Sequence, residues 1–97
     1  MILVVVHADA QEEILSAANH YEAKAPSQGR EFLNAVERGL ALLAENPYYG
    51  PKIRHNARRL VLQAFPYYLV YRILPDYVLV IAAAHHRRRF GYWRKRT

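Results

Sequence analysis

The chain has 97 residues, of which 53% are hydrophobic, with no cysteine and a formal net charge of +6. The length predicts one domain, and the composition excludes a disordered or low-complexity chain. The lack of cysteine excludes disulfides and thiolate metal sites, and we expect a protein of the reducing cytoplasm.

The first elements predicted along the chain are a short strand and a helix. Ile2 to Val6 is an apolar run typical of a buried strand, and it is too short for a signal peptide or a membrane span. Asp9 followed by Glu12 forms an Asp variant of the capping box, so a helix should begin there, and Pro26 should end it. The apolar stripe of this helix contains Ala10, Ile14, Ala17, Ala18, Tyr21 and Ala25.

A second helix is predicted between Ser27 and Asn46-Pro47. Ser27 is a typical N-cap residue, and Asn46-Pro47 favours a helix end. We expect Gly39 to let the first helix approach closely, in spite of a cost of about 1 kcal/mol relative to alanine. The two helices would form an αα-hairpin. The apolar stripe of the second helix contains Phe32, Val36, Leu40 and Leu43.

The second half of the chain predicts a β-meander after a turn-rich connector, Tyr48 to Pro51. Strands are predicted over Arg58 to Gln63, Tyr67 to Leu74 and Tyr77 to Ala84. The fold class is therefore α+β with the order β-α-α-β-β-β, in one domain over residues 1–97. The helical hairpin would lie on one face of a mostly antiparallel four-stranded sheet.

The last predicted strand contains an apolar run, Val78 to Ala84, that does not alternate with polar residues. Such runs are typical of strands that are covered on both faces, whereas two helices can cover only one face. Either the sheet curls around a second small core, or another chain covers it. The alanines Ala82, Ala83 and Ala84 leave room for a partner and favour a docking groove as much as curling.

The positive charge is concentrated at the C-terminus. Residues Arg87 to Thr97 carry six lysines and arginines and no acidic residue, whereas the rest of the chain has eight basic and eight acidic residues. Such a field favours an anionic partner, either nucleic acid or an acidic protein segment. The alternative is a basic tail that only aids solubility.

Two histidines at the end of the last strand are the first candidates for chemistry. His85 and His86 could line one site only if the strand ends before them, because adjacent strand residues point to opposite faces. Either could act as a general acid or base, or could simply be hydrogen-bonded at the strand terminus. The other histidines are scattered, so we predict no metal site, and no motif indicates a cofactor.

Arginines and aromatic residues supply a second set of candidates. Arg58, Arg59 and Arg72 could clamp phosphates or carboxylates through their planar guanidinium groups. Tyr92 and Trp93 lie within the basic tail, where aromatic rings can stack on bases. The tyrosines of the strands are equally typical of ordinary sheet and interface positions.

These motifs together resemble the RelE/ParE superfamily of bacterial toxins, whose members are often called plasmid-stabilisation proteins. The resemblance spans nearly the whole chain, and the order of the motifs is more specific than any one of them. They are Tyr21-Glu22, Phe32-Leu33 with Val36 and Leu40, Asn46-Pro47, Arg58-Arg59, Phe65-Pro66-Tyr67-Tyr68-Leu69-Val70-Tyr71-Arg72, His85-His86-Arg87-Arg88 and Tyr92-Trp93.

The resemblance implies a protein partner. Toxins of this superfamily are neutralised by the C-terminal segment of a cognate antitoxin, and the complex commonly represses its own operon. It therefore implies a cytoplasmic hetero-oligomer with an antitoxin whose binding segment is acidic and apolar, and no membrane partner. We assign the antitoxin contact to Arg72, Ala82, Ala83 and Ala84.

The superfamily has two activities, and one position separates them here. RelE-like members cleave mRNA on the ribosome, and an arginine precedes the Leu-Val-Tyr of their middle strand. Tyr68 stands at that place, and Arg72, four residues on, is displaced by ~13 Å at about 3.3 Å per residue. ParE-like members inhibit DNA gyrase instead, and the Phe-Pro-Tyr and His-His-Arg-Arg motifs look closer to them.

Three functions remain open, and the first is favoured. The favoured hypothesis is a ParE-like toxin that binds gyrase or its DNA through Arg87, Arg88, Arg89, Tyr92, Trp93, Arg94, Lys95 and Arg96. Alternatively, it is an endoribonuclease that uses Arg58, Arg59, His85, His86, Arg87 and Tyr92, in which case it is an enzyme. The third possibility is a degenerate, non-toxic module that only binds an antitoxin. Deletion of Arg87 to Thr97 is expected to abolish toxicity and to leave the hairpin and sheet folded.

Overall fold

Two helices and five strands form the structure, a computed structural model that describes residues 1–97. Every predicted element is present, with bounds within a few residues of those predicted. Neither helix combines the length and the apolar character that a membrane span requires. In chain order the elements are β1 (Val4–Val6), α1 (Ala8–Lys24), α2 (Gln28–Glu45), β2 (Lys52–Ile53), β3 (Ala57–Val61), β4 (Tyr67–Ile73) and β5 (Val78–His85).

The strands form one sheet in the order β1-β5-β4-β3-β2. β1 is parallel to β5, and the other pairs are antiparallel, so the predicted α+β class and mostly antiparallel sheet are confirmed. The predicted number of four strands is wrong by one. β2 pairs through Lys52 with Arg58 and through Ile53 with Ala57. Two residues are too few to produce a recognisable alternation of apolar and polar side chains.

The first helix begins one residue before the predicted cap. His7 is the N-cap residue of α1, and its Nδ1 accepts a hydrogen bond from Asp9 N at 3.0 Å. The prediction that Asp9 caps this helix is therefore wrong, since Asp9 already lies in the first turn. The predicted end is confirmed, because α1 stops at Lys24, before Pro26.

The junction between the helices depends on Glu22 more than on Ser27. Ser27 occupies the N-cap position of α2 with a φ of 71°, but its side chain makes no capping hydrogen bond. The Glu22 carboxylate accepts hydrogen bonds from Ser27 N and Gly29 N, at 3.1 and 3.0 Å. The first free N–H groups of α2 are thus satisfied from α1.

The close approach of the helices occurs at Gly29 and not at Gly39. A Cβ atom on Gly29 would lie 2.6 Å from the carbonyl oxygen of Ala18, which is too close for any side chain. A Cβ atom on Gly39 would instead meet leucine side chains on the sheet side, the nearest being that of Leu69 at 3.2 Å. The role predicted for Gly39 is therefore wrong, and this glycine lets α2 approach the sheet.

The main core lies between the helical hairpin and one face of the sheet. The predicted stripes of the helices supply it, and an aromatic group formed by Tyr21, Phe32, Phe65 and Tyr67 closes one end. The stripes are buried at Ala10, Ile14, Ala17 and Ala18 on α1, and at Phe32, Val36 and Leu43 on α2. Helical periodicity therefore predicted the faces that pack on the sheet.

The opposite face of the sheet carries a second core. The register of β4 and β5 changes from Val70 with Ala82 to Tyr71 with Val80, so Ile81 forms a β-bulge. The bulge places Ile81 and Ala82 on the same side, in a cluster closed by Trp93 from the C-terminus. Of the two alternatives for the apolar run, the second small core is present. The chain covers this face with its own last residues.

Candidate functional site

Residues Arg87 to Thr97, hereafter the C-terminal segment, fold as turns over the second face of the sheet. Trp93 is fully buried there and packs in the cluster that contains Ala57, Tyr68 and Val70. Its ring also meets His55 and Phe90 edge-on, at centroid distances of 5.9 and 5.5 Å. Trp93 was predicted to contact the target, but its burial prevents stacking on bases. It anchors the segment instead.

Glu13 of α1 also holds the C-terminal segment, through hydrogen bonds and an ion pair. Its carboxylate accepts hydrogen bonds from Tyr92 Oη at 2.7 Å and from Arg96 Nη1 and Nη2 at 2.9 and 3.1 Å. It also accepts one from Ala83 N, at 3.0 Å, on the edge of β5 beyond the end of β1. Arg96 completes this edge by donating to the carbonyl oxygen of Ile81 at 2.9 Å. No motif in the sequence marks Glu13 for this role.

Tyr92 and Arg96 are consequently engaged within the protein. Burial raises the pKa of Tyr92, and the hydrogen bond to Glu13 raises it further. Two guanidinium groups pack against the Tyr92 ring, with Arg88 Cζ at 3.8 Å and Arg96 Cζ at 5.1 Å from its centroid. Arg96 also approaches Asp9, at 3.6 Å. The sequence predicted that Tyr92 and Arg96 bind the target. In the folded chain neither side chain is free to do so unless the C-terminal segment detaches.

Arg72 ties the C-terminal segment to the sheet. Its guanidinium donates to the carbonyl oxygens of Arg96 at 2.7 Å, Arg94 at 3.0 Å and His55 at 3.1 Å. All of its nitrogen atoms take part, since Nε also donates to His55 at 3.3 Å. If an antitoxin binds through Arg72, as predicted, these hydrogen bonds must therefore break. In the chain alone it is a structural clamp.

The predicted groove beside the alanines of β5 is closed. Ala82 and Ala84 are fully buried on the second face, and Ala83 is buried on the helical face. The expectation of open space beside them is wrong because the C-terminal segment fills it. Contact of these alanines with an antitoxin remains a prediction that requires the segment to move.

Four cations of the C-terminal segment stay at the surface without an acidic partner. Arg87, Arg89 and Lys95 are exposed and form no side-chain hydrogen bond or ion pair, and Arg94 is exposed with a single bond to the carbonyl oxygen of Gly91. Arg88 is exposed but lies 3.8 Å from Glu13 Oε2. The turns fix the backbone that carries these side chains, so they form an ordered basic surface rather than a loose tail.

The two histidines come together where β5 ends. His85 is the last residue of β5, and its ring lies 5.0 Å from that of His86 and 5.1 Å from that of Tyr67. Its Nδ1 accepts a hydrogen bond from Arg87 N at 3.1 Å. Burial lowers the pKa of His85, and the neighbouring His86 and Arg87 lower it further. His85 therefore favours the neutral form.

The remaining candidates, Arg58 and Arg59, lie on opposite faces of β3. Arg58 donates to the carbonyl oxygen of Gly50 at 2.7 Å and thereby holds the connector that precedes β2. Arg59 is exposed, and its guanidinium lies 5.5 Å from the ring of Tyr68. Arg59 borders a depression together with His86 and Arg88. The structure thus brings part of the proposed ribonuclease set together and separates Arg58 from it.

Comparisons with known proteins indicate one family. A family model described as "ParE toxin of type II toxin-antitoxin system, parDE" matches residues 4–90. Among solved structures, the chain resembles one titled "Chromosomal ParDE TA system from P. aeruginosa", with a TM-score of 0.76 and 13% identity over 88% of this chain and 96% of that chain. At this identity the likeness shows the fold. No curated protein sequence gives a significant match.

Proposed function

The chain belongs to the ParE toxin family of type II toxin–antitoxin systems, and on that premise we propose that it inhibits DNA gyrase and is neutralised by a cognate antitoxin. The family match covers most of the chain and includes both helices and all five strands. Gyrase as the target and the antitoxin as the partner are the two parts of this proposal. The site supports the first part over the ribonuclease alternative.

The hydrogen bond between Tyr92 and Glu13 is the observation that favours gyrase inhibition over ribonuclease activity. A ribonuclease of the superfamily needs a C-terminal tyrosine or histidine and several cations around one phosphate. Here the Tyr92 hydroxyl donates to Glu13, and its raised pKa opposes the loss of its proton. Arg58 holds the connector, and buried Tyr68 stands where the superfamily resemblance places a clamp arginine. These contacts favour a binding protein over a nuclease.

The ordered basic surface supports an anionic target. Arg87, Arg89, Arg94 and Lys95 lie on the folded C-terminal segment without acidic partners. A cluster of this kind attracts DNA phosphates and acidic protein surfaces through a field that salt screens. Gyrase bound to its DNA offers both, so we assign the inhibitory contact to these four residues.

An acidic, apolar segment of the antitoxin is the complementary partner. The same field that attracts the target attracts such a segment, and its binding would compete with target binding. We therefore propose a hetero-oligomer in which the antitoxin shields the positive charge. This part of the proposal is supported by family membership and by charge.

The test compares two assays with one preparation of the purified chain. We expect inhibition of gyrase supercoiling and no cleavage of mRNA in the A site of a programmed ribosome. The Tyr92→Phe variant should still inhibit gyrase, because the ring stays packed against the arginines, and Arg96, Arg72 and Trp93 still hold the C-terminal segment after the hydroxyl is removed. Unchanged supercoiling with A-site cleavage that Tyr92→Phe abolishes would establish the ribonuclease. No effect in either assay would indicate a degenerate module.

A further inference from the structure

Charge is divided unevenly between the two halves of the chain. The helical hairpin, residues 8–45, contains seven acidic residues against three lysines and arginines. Residues 46–97, which form strands β2 to β5 and the C-terminal segment, contain eleven lysines and arginines and one acidic residue, Asp76. The hairpin packs on one face of the sheet, and the C-terminal segment packs on the other. Such an excess of positive charge in one part of a fold is typical of nucleic-acid binding.

Phe90 is an exposed aromatic residue in this basic part of the chain. It is 40% exposed, and its ring packs against those of Trp93 and His55, at centroid distances of 5.5 and 6.2 Å. The guanidinium of Arg54 lies over the same ring, with Cζ at 5.6 Å from the centroid, and exposed Arg89 precedes Phe90 in the chain. Because Trp93 is fully buried, these contacts anchor an apolar ring at the surface beside two cations.

A depression of about 350 Å³ adjoins the ring of Phe90. Arg59, His86 and Arg88 line it together with Phe90, and no aspartate or glutamate does. Arg59 is exposed and has no acidic partner, and its guanidinium lies 5.5 Å from the centroid of the Tyr68 ring. The depression therefore combines cationic side chains for a phosphate with an apolar ring at its rim.

We propose that Phe90 and the cations around it bind duplex DNA directly, without gyrase. We call this region the Phe90 site; it consists of Arg54, Arg59, His86, Arg88 and Phe90. The guanidinium groups hold phosphates of the duplex, and the ring of Phe90 packs against a deoxyribose or wedges at a base step. The inference rests on the proposed function, since it names DNA as the anionic part of the gyrase complex that the chain contacts.

A continuous polyanion fits this surface better than an acidic protein does. Arg87, Arg89, Arg94 and Lys95 are exposed on the same C-terminal segment that carries Phe90. Duplex DNA has about one negative charge per 1.7 Å of its axis, so one stretch of duplex offers phosphates to these cations and to the Phe90 site at once. An acidic protein surface presents separated carboxylates and no sugar or base for the ring. Duplex DNA satisfies the cations and the ring together.

The test measures binding of the purified chain to a short labelled DNA duplex by fluorescence anisotropy, at several salt concentrations. The unmodified chain should bind with an affinity that falls steeply as salt rises. Arg59→Gln should reduce the slope of log affinity against log salt by about 1, because it removes one phosphate contact. Phe90→Ala should weaken binding by about tenfold and leave that slope unchanged, because the contact of the ring is not ionic.

The matched controls lie on the helical hairpin. Arg30→Gln removes an exposed arginine of α2, and Leu15→Ala truncates a 48% exposed apolar residue of α1. Both should bind the duplex like the unmodified chain. Urea unfolding verifies that each variant is folded, and Arg54→Gln takes the place of Arg59→Gln if the latter is not. No binding by the unmodified chain, or equal binding by the controls and the variants of the Phe90 site, would overturn the inference.

Supercoiling assays with the same proteins separate this inference from the proposed function. Gyrase inhibition by a chain that does not bind the duplex alone would overturn the DNA site and leave gyrase inhibition intact. If Arg59→Gln and Phe90→Ala then inhibit less, the Phe90 site contacts gyrase itself. Duplex binding without any inhibition of supercoiling would overturn the gyrase proposal and leave the DNA site in place. Tighter binding of single-stranded RNA of the same length would assign the site to RNA and overturn the inference.

Discussion

Glu13 joins three parts of the protein that are distant along the chain. Its carboxylate contacts Tyr92 and Arg96 of the C-terminal segment and the backbone of β5 at Ala83. Its side chain is 17% exposed, so these charge-assisted bonds lie in a partly dry environment. The orientation of the C-terminal segment therefore depends on one acidic residue of α1.

Replacement of Glu13 by Gln should loosen this junction. The amide keeps the size of the side chain but loses the charge that faces Arg96, and only one of its two polar atoms can accept hydrogen bonds. We expect a loss of about 1–3 kcal/mol in the free energy of unfolding, as is typical of hydrogen bonds to charged groups. Urea titration measures it, with the exposed neighbour Glu12→Gln as the control. Equal stability of both variants would show that the charge of Glu13 contributes nothing to the free energy of unfolding.

The sequence did not single out Glu13, because the cations of the C-terminus were predicted to meet an external anionic partner. Glu12 and Glu13 are adjacent on α1, and nothing in the local pattern distinguishes them as partners of the C-terminal cations. The choice between them depends on the rotation of α1 over the sheet, which is fixed by packing. The arginines show the same limit, because Arg72 and Arg58 turned out to bind carbonyl oxygens of the chain itself.

At the scale of elements, the C-terminal segment is part of the fold and not an appendage. Trp93 is fully buried, and its Nε1 has no hydrogen-bond partner, so the contribution of this residue is apolar packing. We therefore no longer expect the hairpin and sheet to stay folded after deletion of Arg87 to Thr97. Removal of the segment would expose the buried face of β4 and β5 to water.

Trp93→Ala tests this role of the segment. Truncation of a buried tryptophan costs about 3–5 kcal/mol, so the variant should unfold at markedly lower urea concentration. Phe90→Ala, at a 40% exposed residue of the same segment, serves as the control and should change stability little. Near-equal unfolding midpoints for the two variants would mean that the segment does not pack on the sheet in solution.

Periodicity and turn residues predicted most elements but not what covers the second face. The stripes of α1 and α2 and the strands β3 to β5 follow local patterns that the sequence displays directly. The run from Val78 to Ala84 indicated two covered faces and left the covering group open. Trp93 was predicted to bind the target because it lies among the six cations of the basic tail, and such a composition gives no local sign that an aromatic residue is buried. Only the three-dimensional contact reveals the anchor.

At the scale of the whole molecule, folding pairs some of the C-terminal cations with acidic residues and leaves the others exposed on an ordered surface. Arg96 is neutralised by Glu13 and Asp9, and Arg88 lies near Glu13, whereas Arg87, Arg89 and Lys95 remain unpaired. The rest of the chain has eight basic and eight acidic residues, so the excess positive charge belongs to the C-terminal segment. Such an arrangement suits an inhibitor that must find an anionic target, and it makes association sensitive to salt.

The most direct measurement is inhibition of gyrase supercoiling by a charge-neutralised variant. The triple substitution of Arg87, Arg89 and Lys95 by Gln should weaken inhibition by about tenfold or more, because these side chains supply three of the four charges without an acidic partner. A control triple at Lys24, Arg30 and Lys52 removes the same charge from exposed sites elsewhere and should inhibit like the unmodified chain. Full inhibition by the first variant, or none by the unmodified chain, would contradict the account.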